Sequence, residues 1–424
     1  MIDPSLDFRI NAERFREDFD ILSQIGATPE GGVHRPSFSE SHLEARAWLR
    51  QRILEDGLSF RSDGAGNYSA FLECGPQNSP TLLLGSHLDS VISGGRFDGA
   101  LGVTAALEVL RTVKEVDRRL PVNLEAIDFT DEEGTLVGLL GSRALAGLLK
   151  QKEFQSPRGG REELQNGLAR ARLSEQDLFD AQRNAASLAG YLELHIEQGP
   201  RLQKAGMTIG VVTAIVGICS YRLSFIGRAD HSGTTPMTER LDAALGASSF
   251  ILGVRQTILE EFPDCVANVG ALNLSPGAFN IVPERADLSL EFRSSDSSSY
   301  QRLEEVLIQL ARTKAQDYGL RLEIEFLGKH FPTPMSSIAQ QAIVQAADAL
   351  GLAHTPLVSG AGHDAQSLAE MCPAGMIFVP SEGGASHSPR EFTRWEDCVN
   401  GANVLLGAAL RMAEIVGGRR TWKE

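Results

Sequence analysis

The stretch that most constrains the fold runs from Thr81 to Phe129. A short aliphatic run, Thr81 to Leu84, ends at Gly85 and reads as a buried strand. Ala100 to Val116 is apolar and rich in helix formers, and Val122 to Phe129 (VNLEAIDF) is again strand-like. Strand, helix, strand in this order predicts a mainly parallel sheet covered on both faces. Between the first strand and the helix lies GSHLDSVISGGRFDG, Gly85 to Gly99, which carries His87, Asp89 and Asp98. The carboxyl ends of strands in such sheets border the crevice where ligands bind. One imidazole and two carboxylates there suit a divalent metal, and Asp98 can bridge two. A polar loop whose aspartate caps a helix would look the same.

The rest of the chain extends the pattern. Asp7 to Ile25 has near-helical apolar spacing, and Ser41 with Glu44 makes a capping box for a helix to about Leu54. Strands are expected at Leu58–Arg61, Tyr68–Glu73 and Tyr191–Ile196, with surface helices between 151 and 189. After Gly199 the character changes. MTIGVVTAIVGICSYRLSFIG is β-branched and punctuated by glycine, as antiparallel strands are. Helices at Leu241–Glu261 and Ser298–Tyr318, with strands at Asn268–Leu274, Ala286–Arg293 and Leu320–Phe326, describe a small α+β domain inserted into the first. Past Phe331 the α/β pattern returns, with helix Ser337–Leu350, strand Gly375–Val379 and helix Arg394–Ile415. The expected domains are 1–208, 209–329 and 330–424, the first and last forming one catalytic domain.

Composition excludes several function classes. A chain of 424 residues with 42% hydrophobic and 22% charged residues is globular rather than disordered. The net charge of −15 opposes binding to nucleic acid or an anionic membrane, without barring an anionic small substrate. No run approaches the roughly 18 consecutive apolar residues of a membrane span, and the acidic-polar N-terminus is not a secretory signal. Five scattered cysteines without CxxC spacing point to reduced thiols, a cytoplasmic location and no cysteine-built zinc site.

Two further strand ends carry ligand-type residues. Val122–Phe129 runs into Thr130-Asp131-Glu132-Glu133-Gly134, and adjacent carboxylates repel unless a cation offsets them. Glu132 and Glu133 point different ways, so one can bind metal while the other moves protons. A solvated acidic helix start is the plain alternative. The next strand ends in LHIEQG with His195, and a late glycine-rich loop, GGASHSPREF, carries His387. Either histidine alone reads as an ordinary polar residue. Together, three histidines with Asp98 and one glutamate make a nitrogen–oxygen set suited to zinc, manganese or cobalt, and paired ions about 3.5–4 Å apart serve many hydrolases. Arg293 ends ADLSLEFR opposite Leu288, Leu290 and Phe292. It can grip a carboxylate bidentately or simply pair with Glu291 or Asp287. His231 reads as a polar residue in a glycine-rich turn.

The motifs HLDSV…GGRFDGALGV, DFTDEEG, ELHIEQG, GRADHSGTTPM, NIVPERADLSLEFR and SGAGHDA…EGGASHSPREF span nearly the whole chain. In that order they resemble the amidases of the di-metal aminoacylase/carboxypeptidase superfamily. The branch resembled comprises N-carbamoyl-L-amino-acid hydrolase, allantoate amidohydrolase and bacterial β-ureidopropionase. The resemblance implies that His87, Asp98 and His195 hold one divalent ion and Asp98, Glu133 and His387 a second. It implies Glu132 as general base, Asp89 as the carboxylate hydrogen-bonded to His87, and a cis peptide at Asp98–Gly99. His231 would donate to the oxyanion, Arg293 and Asn280 would grip the substrate carboxylate, and Gln198 and the Gly362 backbone would complete the pocket. It further implies a homodimer through the inserted domain, which can supply His231, Asn280 and Arg293 to the neighbour's site. His34, His42, His330, His354 and His363 carry no assignment, although His363 adjoins Gly362. The expected reaction is hydrolysis of a ureido carbon–nitrogen bond. A dipeptidase or deacylase of the same superfamily, and a non-catalytic binding protein on the same scaffold, are the competing readings.

Overall fold

The structure is a computed structural model and describes residues 9–420. Its strands, in chain order, are β1 (Ser59–Ser62), β2 (Tyr68–Leu72), β3 (Thr81–His87), β4 (Asn123–Phe129), β5 (Leu188–Ile196), β6 (Ile209–Ile215), β7 (Gly217–Ile226), β8 (Val266–Asn268), β9 (Leu272–Ser275), β10 (Arg285–Ser294), β11 (Arg321–His330), β12 (Thr333–Pro334), β13 (His354–Ser359) and β14 (Ala374–Val379). The chain divides into two compact units. Of the described residues, unit 1 takes 9–213 and 335–420, and unit 2 is residues 214–334.

Unit 1 is built on a sheet ordered β1-β2-β4-β3-β5-β14-β6, with β13 also paired to β6. Only its centre is parallel: β3 pairs parallel with β4 and β5, and β5 with β14. The pairs β1/β2, β2/β4 and β14/β6 are antiparallel. The expected mainly parallel sheet is therefore a mixed one. Residues 63–67 between β1 and β2 form a tight turn, and a turn that short permits only antiparallel pairing.

All nine residues of β5 are buried. Leu192, Leu194 and Ile196 join the main core, while Tyr191, Glu193 and His195 alternate to the opposite face. On the core side lies the helix Ala100–Glu115, buried continuously from Ala100 to Val113. Its two buried charges are matched: Arg14 grips Glu108, and Arg111 pairs with Asp18 and Asp56. The helix Trp395–Arg420 packs there too. Its 395–417 stretch is long and apolar enough to cross a membrane by length and composition, but most of its apolar part is buried inside the protein, as in a core helix. Charged and polar residues interrupt its apolar run.

Local differences have local causes. The first helix is Ala12–Gln24, and residues 7 and 8 of its expected span lie outside the described residues. The second helix spans Glu40–Glu55 and is capped by Ser39, whose Oγ accepts from His42 N. Ser41, expected at that position, donates to the His34 carbonyl instead. β13 carries no strand pattern in the sequence because Pro356 interrupts a half-exposed strand, and the helix Asp364–Ala369 is too short to show a period.

Unit 2 is an antiparallel sheet, β11-β7-β10-β8 with β9 on β10, backed by helices Ala243–Glu261 and Ser297–Asp317. β10 alternates cleanly. Ala286, Leu288, Leu290 and Phe292 are buried with Phe250, Leu303 and Leu307 of the helices, and Arg285, Asp287, Ser289, Glu291 and Arg293 occupy the other face. β12 pairs with Ala214 and Ile215. In unit 1, Met335 N donates to the Thr213 carbonyl at 2.9 Å.

Candidate metal centre

Adjacent parallel strands put their carboxyl ends side by side. β3 ends at His87, β4 runs into Asp131, Glu132 and Glu133, and β5 ends one residue after His195. Asp98 arrives from the loop before the helix Ala100–Glu115, where Gly99 has φ +65°. A Cβ on Gly99 would lie 2.4 Å from His87 Cε1, so only glycine lets that backbone approach the ring. The Asp98–Gly99 bond is trans, contrary to the cis form expected. The left-handed φ at Gly99 turns the chain there.

Two imidazoles converge on one carboxylate oxygen. His195 Nε2 lies 3.0 Å and His87 Nε2 3.5 Å from Asp98 Oδ1, and Glu132 Oε2 is 3.6 Å from His87 Nε2. The other ring nitrogens face backbone carbonyls: His87 Nδ1 that of Asp89 at 3.0 Å and His195 Nδ1 that of Ile196 at 2.8 Å. Those contacts assign the ring protons to Nδ1, and Gly99 N donates to His195 Nε2. Both Nε2 lone pairs therefore point at an anionic oxygen. The buried His87 Nε2 has no hydrogen-bond partner. Acceptors gathered in this way call for a cation between them, so the residues fit a divalent metal. Without an ion, protons must serve. Burial pulls both histidines down, but Glu132 and Asp98 outweigh it at His87, and Asp98 and Glu193 at His195, so both stay above the usual histidine range. Asp98 is held well below the carboxylate range, its burial outweighed by the two imidazoles.

Asp98 Oδ2 faces the other way. Gln198 Nε2 and Ser386 Oγ each donate to it at 2.8 Å, and His387 Nε2 is 3.7 Å from it. His387 Nε2 is also 3.3 Å from Glu133 Oε2. His87, Asp98 and His195 thus form one cluster of ligand-type atoms and Asp98, Glu133 and His387 another. Burial lifts Glu132 and Glu133 well above the carboxylate range, and neighbouring carboxylates add to it. A third cluster, Glu193, His195 and His363, is not independent, because both His195 nitrogens are already engaged.

Asp89 acts differently from the expectation. Its carboxylate is 3.8 Å from His87 Nδ1, and its backbone carbonyl takes that nitrogen instead. The carboxylate accepts from Glu132 N at 3.2 Å and Glu133 N at 3.3 Å, fixing the backbone that carries both glutamates. Asp131, with φ +57°, accepts from Leu136, Val137 and Gly138 N–H and from Thr135 Oγ1, which closes that loop.

Several neighbours were not anticipated. Glu193 is buried two residues before His195 and accepts from Ser86 Oγ, Tyr191 OH and Ala365 N. His363 packs edge-on against His195, centroids 4.6 Å apart, and burial holds it well below the histidine range. Both Asp364 carboxylate oxygens are buried without a partner. Period-two alternation along β5 was the available signal for Glu193; nothing local marks Asp364. Gly362 sits in the half-exposed loop just before His363.

His231, Asn280 and Arg293 belong to unit 2. His231 and Ile281 form an isolated bridge, and Ser232 N donates to the Asn280 carbonyl, so His231 and Asn280 lie on two adjoining exposed loops. Gly233 N donates to His231 Nδ1, which leaves the ring proton on Nε2. Arg293 donates to Glu291 Oε1 at 2.8 and 3.0 Å, the ordinary pairing that its spacing allowed.

Comparison with known proteins gives a consistent set. The profile of peptidase family M20/M25/M40 matches residues 83–411. The chain is 36% identical over 407 residues to an N-carbamoyl-L-amino acid amidohydrolase of Geobacillus stearothermophilus, covering 96% of this chain and 99% of that one. It is 31% identical over 396 residues to an allantoate amidohydrolase of Bacillus subtilis, covering 92% and 95%. The crystal structure of an amidase of the hydantoinase/carbamoylase family from Burkholderia phymatum superposes with a TM-score of 0.86 at 36% identity, covering 96% and 99%.

Proposed function

The chain belongs to peptidase family M20/M25/M40, and from that premise we propose that it hydrolyses N-carbamoyl-L-amino acids to the L-amino acid, carbon dioxide and ammonia. At the coarser level it is a hydrolase of carbon–nitrogen bonds in a family of metal-dependent enzymes. The observation that carries the reading is the division of Asp98, with Oδ1 toward His87 and His195 and Oδ2 toward His387 beside Glu133. In this reading His87, Asp98 and His195 hold one divalent ion, and Asp98, Glu133 and His387 hold the second. Zinc, manganese or cobalt suits these donors. Such ions, when bound, polarise a carbonyl and acidify water.

The chain's own groups do the rest. Glu132 takes a proton from the attacking water and returns it to the leaving nitrogen. Asp89 holds the backbone from which Glu132 projects. His231 Nε2–H donates to the developing oxyanion. Arg293 exchanges Glu291 for the substrate carboxylate, Asn280 assists, and Gln198 and the Gly362 backbone line the remaining space. Unit 2 pairs two copies of the chain. Leu245, Leu252 and Leu259 recur every seven residues on the exposed side of its helix Ala243–Glu261, next to the exposed short strands β8 and β9. Buried, free cysteines suit a reducing cytoplasm.

The allantoate amidohydrolase relative supports a second substrate, and N-carbamoyl-β-alanine is a third. Ammonia release is to be measured with N-carbamoyl-L-amino acids, N-carbamoyl-β-alanine and allantoate, each with manganese, cobalt and zinc. N-acetyl amino acids and dipeptides serve as controls. We expect the highest kcat/KM on an N-carbamoyl-L-amino acid. Preference for an acetyl or peptide substrate would replace the ureido reading with a deacylase or dipeptidase.

A further inference from the structure

We infer that Glu391 is a positioning residue that ties the backbone of Asp98 to the loop carrying His387, and so sets how the two share an ion. The inference rests on the two-ion reading above. Glu391 is 3% exposed, although its neighbours Arg390 and Phe392 are exposed. A buried carboxylate in an exposed loop is costly unless its oxygens are used. Oε1 accepts from Phe97 N at 2.8 Å and Asp98 N at 3.0 Å, across nearly three hundred residues of chain. Oε2 faces Ser386 Oγ at 3.1 Å, and that same hydroxyl lies 2.8 Å from Asp98 Oδ2. Ser386 directly precedes His387.

One carboxylate therefore holds the main chain of the shared ligand and the side chain next to the outer histidine. The site is shaped for it. A Cβ on Gly95 would come within 2.0 Å of the Glu391 carboxylate, so any larger residue there displaces that carboxylate. His387 is half-exposed and has φ +51°. Its protein contacts near the ion site are the carboxylates it would share, so its place depends on how its loop is anchored. Outer partners of this kind set ligand orientation, and losing one costs about 10- to 100-fold in metal affinity.

The test uses the full-length apoprotein titrated with Mn²⁺ by calorimetry, with bound ions counted separately. Wild type should take two ions; fewer would overturn the two-ion reading itself. E391A should keep one ion at wild-type affinity and bind the other about 10- to 100-fold more weakly. E391Q retains Oε1 as acceptor and offers an N–H to Ser386 Oγ, so it should keep both affinities within about threefold of wild type. A residue needed only for folding would lower the melting temperature of the apoprotein without weakening one ion selectively. E391A binding both ions like wild type, or E391Q falling as far as E391A, would overturn the inference. Should E391A fail to fold by circular dichroism, S386A carries the test. It should weaken the same single ion about tenfold, and unchanged binding would overturn the link to the His387 loop.

Discussion

Glu132 and Glu133, adjacent in sequence and alike in chemistry, face different partners. The Glu132 carboxylate faces His87 while that of Glu133 faces His387. We therefore expect Glu132→Gln to bind manganese in wild-type amount while kcat falls about 10²- to 10⁴-fold. Near-normal turnover would remove Glu132 as base. His42 offers a prediction remote from the chemistry. Burial, helped by Arg46 and Arg35, holds it well below the histidine range, and its Nδ1 accepts from Phe38 N. Unfolded, it protonates near pH 6.5; folded, it does not. Its contribution to stability is thus complete above pH 6.5 and declines by about 1.4 kcal/mol per pH unit below it. Urea titrations at pH 7.5, 6 and 5 should show a smaller acid loss in His42→Gln than in wild type. Histidines and acidic residues at strand ends were legible because strand ends face the crevice. Glu193, Asp364 and Glu391 were not, because burial of a carboxylate depends on partners far along the chain.

At the scale of elements, the loop after β4 is held from within and from outside. Asp131 gathers three backbone N–H groups of residues 136–138, and Asp89 takes those of Glu132 and Glu133. Asp131→Ala leaves its three N–H groups without their acceptor, and we expect roughly 3 kcal/mol of lost stability in urea unfolding, with a lower kcat. The sequence pattern gave strand and helix positions to within a few residues for most long elements, since apolar runs and periods are local properties. Pairing direction was not local. β2 reads like its parallel neighbours, and only its partner β4 makes it antiparallel. The same limit hid β13, whose proline speaks against a strand until its place beside β6 is seen.

For the whole molecule, the candidate metal centre is a concentration of charge that the fold alone leaves unbalanced. Several buried carboxylates crowd His87 and His195. Chelation should lower the melting temperature, and readded manganese or zinc at a hundredfold excess over Kd should restore about 2.7 kcal/mol per occupied site. Calorimetric scans with and without chelator measure this, and equal melting temperatures would argue against ions bound in the native state. The crossing between units has a different consequence. Thr213 and Met335, where the chain leaves and re-enters unit 1, are joined by a backbone hydrogen bond. From the standpoint of unit 1, everything in between is a hairpin loop that happens to be a folded body. Such a loop can lengthen, shrink or be exchanged for another at little entropic cost, so the inserted body can change while the sheet of unit 1 keeps its own pairing.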